Sequence, residues 1–291
     1  MGCFTSRMNA EGNYDPSSFT LALGTSAKTA YKSQELSQLY AGTKPILVVC
    51  TDDGLMKCEN GKVFSTGNHP VEMFVPMLHF RDAGFTFDIA TSTGNPVVLE
   101  MWAYPSKDKN VLDLHEQVKH MMEKPKKLDD IATLDAYSAI FIPGGHGCMV
   151  NLPQSVALGK LLNIAHARAL PTVTLCHGPS AFLSTCLEGT GQADCTYKGY
   201  KTMCFTDKMD AMSPNVGYLP GKMPWKCQAS IEAKGVEVVN KKETGAVLAD
   251  RELMTGDSPN AAQNLGVLAA PLIVKYATDH GDKVTEVRAT A

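Results

Sequence analysis

Apolar segments of strand length alternate along this chain with segments whose apolar residues recur at helical spacing, and this alternation most limits how the chain can fold. The strand-like segments are continuous apolar runs, the pattern of strands that are buried on both faces of a sheet. Four of them read KPILVVCT, FTFDIATS, YSAIFIPGG and LPTVTLCHG. Strands that alternate with helices predict right-handed crossovers and a mostly parallel sheet covered on both faces, so the fold class is α/β.

The remaining segments divide the chain into a main domain and attached parts. Helices are predicted in VEMFVPMLHFRDAG, NVLDLHEQVKHMMEK, SVALGKLLNIAHARA and NAAQNLGVLAAPLIVKYA, a hairpin-like pair in GAVLADRELMTGDSP, and a loop in GKVFSTGNHPVE. Residues 1–43 are polar and weakly periodic, which predicts an N-terminal extension that wraps the domain. The α/β domain is expected over 44–282, with a covering insertion around 194–225 and a C-terminal tail over 283–291.

Charge and hydropathy exclude several classes of protein. The net charge is -3 and the sequence pI is about 6.2, so no feature favours nucleic acid as a partner. No apolar run approaches the roughly 20 residues that span a bilayer. The hydrophobic fraction of 44% and the charged fraction of 20% are ordinary for a globular protein.

The nine cysteines are irregularly spaced, without a CxxC pair, and the first residues lack the apolar segment of a secretory signal. Free thiols in a reducing, cytoplasmic compartment are therefore expected. Gly2 with Ser6 fits the loose pattern for N-myristoylation, and Cys3 could carry a palmitoyl chain. Two acyl chains would anchor the protein to a membrane; the alternative is an unmodified tail.

Unusual residues follow three of the predicted strands, at Asp52–Asp53, Gly144–His146 and Cys176–Gly178. Ligand sites in parallel sheets gather at the carboxyl ends of strands. The order strand, Cys176, His177, Gly, Pro, helix is the layout of a nucleophile elbow, and a helix N-terminus beside the sulfur would lower its pKa. For an isolated cysteine, a buried thiol that fills space is the commoner interpretation.

His177 could serve as a base for the thiol, or it could cap the following helix. A base needs a carboxylate to orient it. Asp207 and Asp210, in the segment CFTDKMDA, are both candidates, and their spacing does not choose between them.

Glycines and one carboxylate complete the candidate site. Gly144 and Gly145 end a strand, where a backbone N–H group could stabilise an oxyanion or the pair could simply form a tight turn. His146 could face the same substrate pocket. Glu72 begins a predicted helix, where the helix dipole alone accounts for a carboxylate. It gains a chemical role only if it lies next to Cys176.

The segments TGNHPVE, IFIPGGHG, VTLCHGPSAFL, GYLPG and LMTGDSP together resemble a known family. They are similar to the 31-kDa heat-shock chaperone and glyoxalase III branch of the DJ-1/PfpI superfamily, in the same order from about Lys44 to Tyr276. This resemblance implies a flavodoxin-like three-layer α/β sandwich with a smaller covering region. It also implies a homodimer.

The resemblance assigns roles residue by residue. Cys176 would be the nucleophile, and His177 its partner, oriented by Asp210 rather than Asp207. Glu72 would be a protonated carboxyl group beside the thiol that relays a proton. The N–H of Gly145 and the turn after Cys176 would form the oxyanion hole.

Some bacterial members of the family carry a metal site formed by two histidines and one carboxylate. Aligned on the motifs, those positions hold Arg81, Thr86 and Val118 in this chain. None of these replaces the missing ligands, and Arg81 adds a repelling charge, so no metal is expected there. The spacing of His115 and His120, five apart, also fails to align two ligands on one helix face.

The activity implied by the resemblance is conversion of methylglyoxal to lactate without glutathione or another cofactor, together with protein deglycation. Three alternatives stay open: a holdase that binds unfolding proteins, a Cys-His-Asp peptidase, and an oxidation sensor based on a low-pKa exposed thiol. The expected partners are a small 2-oxoaldehyde and glycated or unfolding proteins.

Overall fold

The computed structural model describes residues 5–287 and contains fifteen strands and eight α-helices in that range. The helices are α1 (Ser18–Gly24), α2 (Pro70–Asp82), α3 (Lys109–Glu123), α4 (Cys148–Asn151), α5 (Val156–Ala167), α6 (Asp207–Met212), α7 (Cys227–Glu232) and α8 (Ala262–Asp279). The strands are β1 (Arg7–Met8), β2 (Tyr14–Asp15), β3 (Gln38–Tyr40), β4 (Ile46–Cys50), β5 (Leu55–Lys57), β6 (Val63–Ser65), β7 (Phe87–Thr91), β8 (Lys126–Lys127), β9 (Ala139–Ile142), β10 (Thr172–Leu175), β11 (Lys201–Thr202), β12 (Glu237–Val238), β13 (Val247–Asp250), β14 (Leu253–Gly256) and β15 (Val284–Glu286).

The central sheet has seven strands in the order β13–β14–β10–β9–β4–β7–β8. All neighbours pair in parallel except β13, which runs antiparallel to β14 as the predicted hairpin. The prediction of an α/β fold with a mostly parallel sheet is confirmed. Because β4, β9 and β10 are adjacent, their carboxyl ends meet at the middle of one sheet edge.

Helices cover both faces of this sheet because successive side chains of a strand point to opposite sides. Ile46 and Val48 of β4 pack in a core with α2, α3 and α8. Leu47 and Val49 face a second core, which includes α5 and the 3₁₀ helix Gly178–Cys186. The result is a three-layer sandwich.

A four-stranded sheet, β1–β2–β6–β5, lies apart from the central one. It includes the hairpin β5–β6. Strand β6 lies in the segment GKVFSTGNHPVE, which the sequence predicted as a loop, so that prediction is wrong for Val63–Ser65. Strands of three residues are too short to show a periodicity in the sequence. They form because they pair with neighbouring strands.

The two ends of the described chain meet on the main domain. β3 pairs antiparallel with β15, and the backbone N–H of Ser17 donates to the carbonyl of Gly217 at 2.8 Å. Within residues 5–287, no helix has both the length and the apolar character needed to cross a membrane. Gly2 and Cys3, the predicted acylation positions, lie outside the described residues.

Candidate active site

Cys176 directly follows β10 and adopts a left-handed backbone conformation, with φ +56°. This region is unfavourable for a residue with a side chain and occurs where the surroundings enforce it. Here the Cys176 N–H donates to the Gly256 carbonyl at 3.0 Å, and its own carbonyl accepts from the Phe205 N–H at 2.9 Å. The strand end therefore turns sharply and holds the thiol at the sheet edge.

The glycine pair at the end of β9 makes room for this turn. A Cβ on Gly144 would lie 2.0 Å from Oε2 of Glu72 and 2.8 Å from Cβ of Cys176. Gly145 has φ +107°, and a Cβ there would lie 2.4 Å from the Gly67 carbonyl oxygen. The absence of a side chain at Gly144 allows Glu72 and Cys176 to approach each other, and the absence of one at Gly145 allows the strand end to pack against the backbone of Gly67.

Glu72 lies in the first turn of α2 and is fully buried. Burial raises the pKa of its carboxyl group well above the ordinary value, the neighbouring Cys176 thiol opposes this rise, and the Glu100 carboxyl group adds to it. Within residues 5–287, neither carboxyl oxygen completes a hydrogen bond with good geometry. The carboxyl group therefore favours its protonated form more than an exposed glutamate does, and both of its oxygens lack a hydrogen-bond partner among the described residues.

The environment of Cys176 contradicts the expected low thiol pKa. Burial raises this pKa well above its ordinary value, and the neighbouring Glu72 carboxyl group raises it further. The segment after the turn is a 3₁₀ helix, Gly178–Cys186, and the thiol is only 3% exposed. The thiol is therefore buried and has a raised pKa, whereas the sequence predicted an exposed thiol with a low pKa.

The thiol begins a buried chain of polar contacts. Sγ of Cys176 lies 3.4 Å from Nδ1 of His177, and Nε2 of His177 lies 2.9 Å from Oδ2 of Asp210. Burial alone would raise the pKa of the Asp210 carboxyl group, but His177 and His146 together lower it below its ordinary value. An ionised Asp210 accepts the Nε2 hydrogen of His177, which leaves Nδ1 as the acceptor that faces the thiol.

Asp207 occupies a different place. Its carboxylate accepts from the backbone N–H groups of Gln228 and Ala229, at 3.0 and 2.9 Å, and so caps the start of α7. The structure thus brings Asp210, and not Asp207, to His177.

His146 contacts the same carboxylate, with its Nε2 3.1 Å from Oδ1 of Asp210. Its ring stacks at a tilt on that of His177, with centroids 4.0 Å apart. Burial and the adjacent His177 lower the pKa of His146, although Asp210 opposes this effect. This Nε2 is directed at Asp210, a partner that the sequence did not predict for His146.

Two backbone N–H groups lie where β9 and β10 end, at Gly145 and His177. Among residues 5–287, neither donates to a backbone carbonyl in the turns and loops. Backbone N–H groups of this kind can stabilise an oxyanion.

Several residues of the site were not predicted. Phe64, Trp102 and Tyr218 contact one another, with ring centroids 5.6–6.1 Å apart, and Phe64 meets the ring of His146 at 6.0 Å. They come from three separate segments and enclose the site. Only the folded chain brings them together.

Glu100 was also missed, although a carboxylate inside the apolar run PVVLEMWA was a signal. It is buried, its Oε1 accepts from the Thr66 hydroxyl at 2.7 Å, and its Oε2 has no partner among the described residues. Burial raises its pKa to about 7, against the opposing effect of His146. The site therefore contains two buried carboxyl groups, Glu72 beside the thiol and Glu100 close enough to Glu72 to raise its pKa.

The position of the family's metal site, at Arg81, Thr86 and Val118, differs from the place where the structure brings possible metal ligands together. Arg81 forms an ion pair with Asp82 at 2.9 Å, and Val118 is buried in the core. Within the described part of the chain, His146, His177 and Asp210 are the side chains that could hold an ion together, with one ligand atom from each and all within 4.8 Å.

The fold and the site define a parallel-sheet α/β protein with a buried Cys–His–Asp cluster at the carboxyl ends of its strands. The model of the DJ-1/PfpI family matches residues 63–269. The chain belongs to the DJ-1/PfpI family, which confirms the resemblance seen in the sequence.

Curated relatives and solved structures agree with this assignment. The chain is 41% identical over 274 residues to the protein/nucleic acid deglycase HchA of Pseudomonas aeruginosa, covering 92% of this chain and 94% of the relative. It is 39% identical over 275 residues to HchA of Escherichia coli, covering 92% and 95%. The crystal structure of glyoxalase III from Candida albicans superposes with a TM-score of 0.61 at 20% identity, covering 79% of this chain and 98% of that one, and supports the fold.

Proposed function

We propose that this protein is an enzyme of the glyoxalase III and deglycase type, which converts 2-oxoaldehydes such as methylglyoxal to 2-hydroxy acids through a Cys176 adduct. The relatives at 39–41% identity are named deglycases, which supports enzymatic activity on glycation chemistry. The observation that carries the proposal is the position of the thiol, between the Glu72 carboxyl group and Nδ1 of His177 at 3.4 Å.

The first step adds the thiol to the aldehyde. As Sγ of Cys176 bonds to the aldehyde carbon, Nδ1 of His177 takes the thiol proton, and the ionised Asp210 stabilises the imidazolium that forms. The carbonyl π electrons move to oxygen, where the Gly145 N–H stabilises the charge and the Glu72 acid supplies a proton. The product is a hemithioacetal, and Glu72 is now a carboxylate.

The second step moves hydrogen within the substrate. The Glu72 carboxylate removes the proton from the former aldehyde carbon while the His177 imidazolium protonates the neighbouring carbonyl oxygen, which gives an enediol. Glu72 then returns its proton to the neighbouring carbon and takes the proton of the hydroxyl group on the sulfur-bearing carbon, so that Glu72 is again an acid and His177 is again neutral. This leaves a thioester on Cys176, and water hydrolyses it to the 2-hydroxy acid and the free thiol. One carbon is oxidised and its neighbour reduced, so the atoms balance without nicotinamide or glutathione.

Deglycation fits the same site, because an aldehyde that has already added an amine or guanidine is a carbinol from which the thiol could displace the nitrogen. The aromatic enclosure favours a small adduct. Free aldehyde is therefore proposed as the main substrate, and the adduct as the alternative.

A kinetic experiment distinguishes these substrates. Methylglyoxal is incubated with the protein in buffer free of amines and glutathione, and lactate is measured. We expect one lactate for each methylglyoxal consumed, at a rate that follows free aldehyde. Consumption only when an amine adduct has formed would favour the deglycase, and no consumption in either case would reject both. The holdase alternative is separated by Cys176→Ala, which should still suppress aggregation if that activity exists.

A further inference from the structure

We propose that His146, His177 and Asp210 form an inhibitory site for a divalent transition metal, of which Zn²⁺ is the best match. The binding part of this inference stands on the geometry of the three side chains. The inhibitory part rests on the proposed role of His177 as the base for Cys176.

The three side chains already converge. Each carboxylate oxygen of Asp210 faces a different imidazole, with Oδ1 at 3.1 Å from Nε2 of His146 and Oδ2 at 2.9 Å from Nε2 of His177. All three are buried, at 3%, 0% and 5% exposure. Zinc binds histidine nitrogen and carboxylate oxygen at about 2.0–2.2 Å, and sites with three protein ligands leave a fourth position to water. Ligand atoms bound to one tetrahedral ion at these distances lie roughly 3.3 Å apart. The ligand atoms of the cluster lie within 4.8 Å of one another, so the widest pair would have to close by at most about 1.5 Å.

The donor set of the cluster suits a cation. Two imidazole nitrogens and a carboxylate oxygen are among the ligands that zinc binds in proteins. A neutral imidazole binds a metal through the lone pair of one nitrogen, and its hydrogen moves to the other nitrogen.

That shift of the hydrogen explains the inhibition. Without metal, Nε2 of His177 carries the hydrogen and donates it to Asp210, while Nδ1 accepts from the thiol. With metal on Nε2, the hydrogen sits on Nδ1 and points at Sγ of Cys176, 3.4 Å away. His177 can then no longer take the thiol proton.

A cavity lies beside Asp210, one of the three residues of the cluster. It has a volume of about 130 Å³, reaches Asp210, and is lined by two further carboxylates, Glu59 and Asp207, as well as by Lys222 and Lys226. Asp207 is committed to capping α7. The open space next to Asp210 is lined by residues other than Cys176.

The geometry also distinguishes the proposed site from a site in which the Cys176 thiol binds zinc. Sγ of Cys176 faces Nδ1, at the opposite edge of the His177 ring from Nε2. Cys176 is thus excluded as a ligand when the metal lies between Nε2 and Asp210. Removal of the thiol should leave metal binding intact.

Metal binding is tested directly, by competition of the full-length protein with a chromophoric chelator for Zn²⁺ and by metal content after dialysis. Four forms are compared: wild type, His146→Asn, Cys176→Ser and His69→Gln. His69 is a buried histidine that lies outside the cluster and serves as the matched control. Because loss of neighbours that only orient ligands already weakens metal sites by about 10–100-fold, loss of a direct ligand should weaken binding at least about 100-fold in His146→Asn.

Wild type, Cys176→Ser and His69→Gln should each bind one Zn²⁺ per chain, and Co²⁺ should give tetrahedral d–d bands without thiolate charge transfer. The proposal is overturned by wild type without a saturable site, by unchanged binding in His146→Asn, or by loss of binding in Cys176→Ser. Circular dichroism checks that His146→Asn is folded. If that variant is unfolded, the presence or absence of a saturable Zn²⁺ site in the wild-type protein decides the proposal. Because no substrate is present, failure of the proposed enzymatic function leaves this measurement unaffected.

Discussion

Nε2 of His177 lies 2.9 Å from Oδ2 of Asp210, and both side chains are almost completely removed from solvent. This contact sets the tautomer of His177 and leaves Nδ1 facing the Cys176 thiol. The reactive pair is therefore arranged before any substrate arrives.

The two aspartates of α6 provide a matched test of this arrangement. Asp210→Asn should lower kcat by at least about 10²-fold, because the amide can present its NH₂ group to His177 and favour the wrong tautomer. Asp207→Asn retains an oxygen that can cap α7, so turnover should stay near wild type and the free energy of unfolding should change by less than about 1 kcal/mol. Steady-state kinetics and urea denaturation of both variants measure these effects. Equal losses of activity would contradict the assignment of Asp210.

Glu72→Gln tests the neutral acid beside the thiol. The glutamine side chain has nearly the shape of a protonated glutamate, so we expect the fold and KM to change little. It cannot donate and then accept a proton, so kcat should fall by about 10²–10⁴-fold. Methylglyoxal kinetics give this split between kcat and KM. Turnover within a few fold of wild type would remove Glu72 from the proton transfers.

Much of the sheet was predictable because its strands are long apolar runs. Those at Ile46–Cys50, Phe87–Thr91 and Thr172–Leu175 each lie inside a predicted segment. The pairing of β3 with β15 was not predictable, because it joins residues that are far apart in the chain and carry no periodic signal.

The site was predictable in part for a similar reason. Cys176, His177 and Gly145 lie at strand ends, where the ligand sites of parallel sheets are found. The resemblance to the family selected Asp210. The raised thiol pKa was not predictable, since it depends on burial beneath the covering region and on Glu72. Glu100 and Tyr218 reach the site only through the folded backbone.

Glu100 should make stability depend on pH. Its ordinary pKa of 4.5 rises to about 7 in the folded protein. Below pH 4.5 the Glu100 carboxyl group is protonated in both the folded and the unfolded protein. Between pH 4.5 and about pH 7 it ionises in the unfolded chain but not in the folded one, so the free energy of unfolding falls, by up to about 3 kcal/mol.

Glu100→Gln should remove this loss, so its free energy of unfolding relative to wild type should rise between pH 5 and pH 8. Urea denaturation at both values measures the difference, with the exposed Glu116→Gln on α3 as control. An identical pH dependence in wild type and Glu100→Gln would show that the carboxyl group is not held neutral.

The most direct test of the central claim compares methylglyoxal turnover, without glutathione, in wild type, Cys176→Ala and Cys50→Ala. Cys50 is the equally buried last residue of β4 and belongs to the core, so its variant controls for the loss of a buried thiol. We expect lactate formation by wild type and Cys50→Ala, and a loss of at least about 10³-fold in Cys176→Ala. Turnover by Cys176→Ala at a rate near that of wild type would contradict a mechanism through the Cys176 adduct.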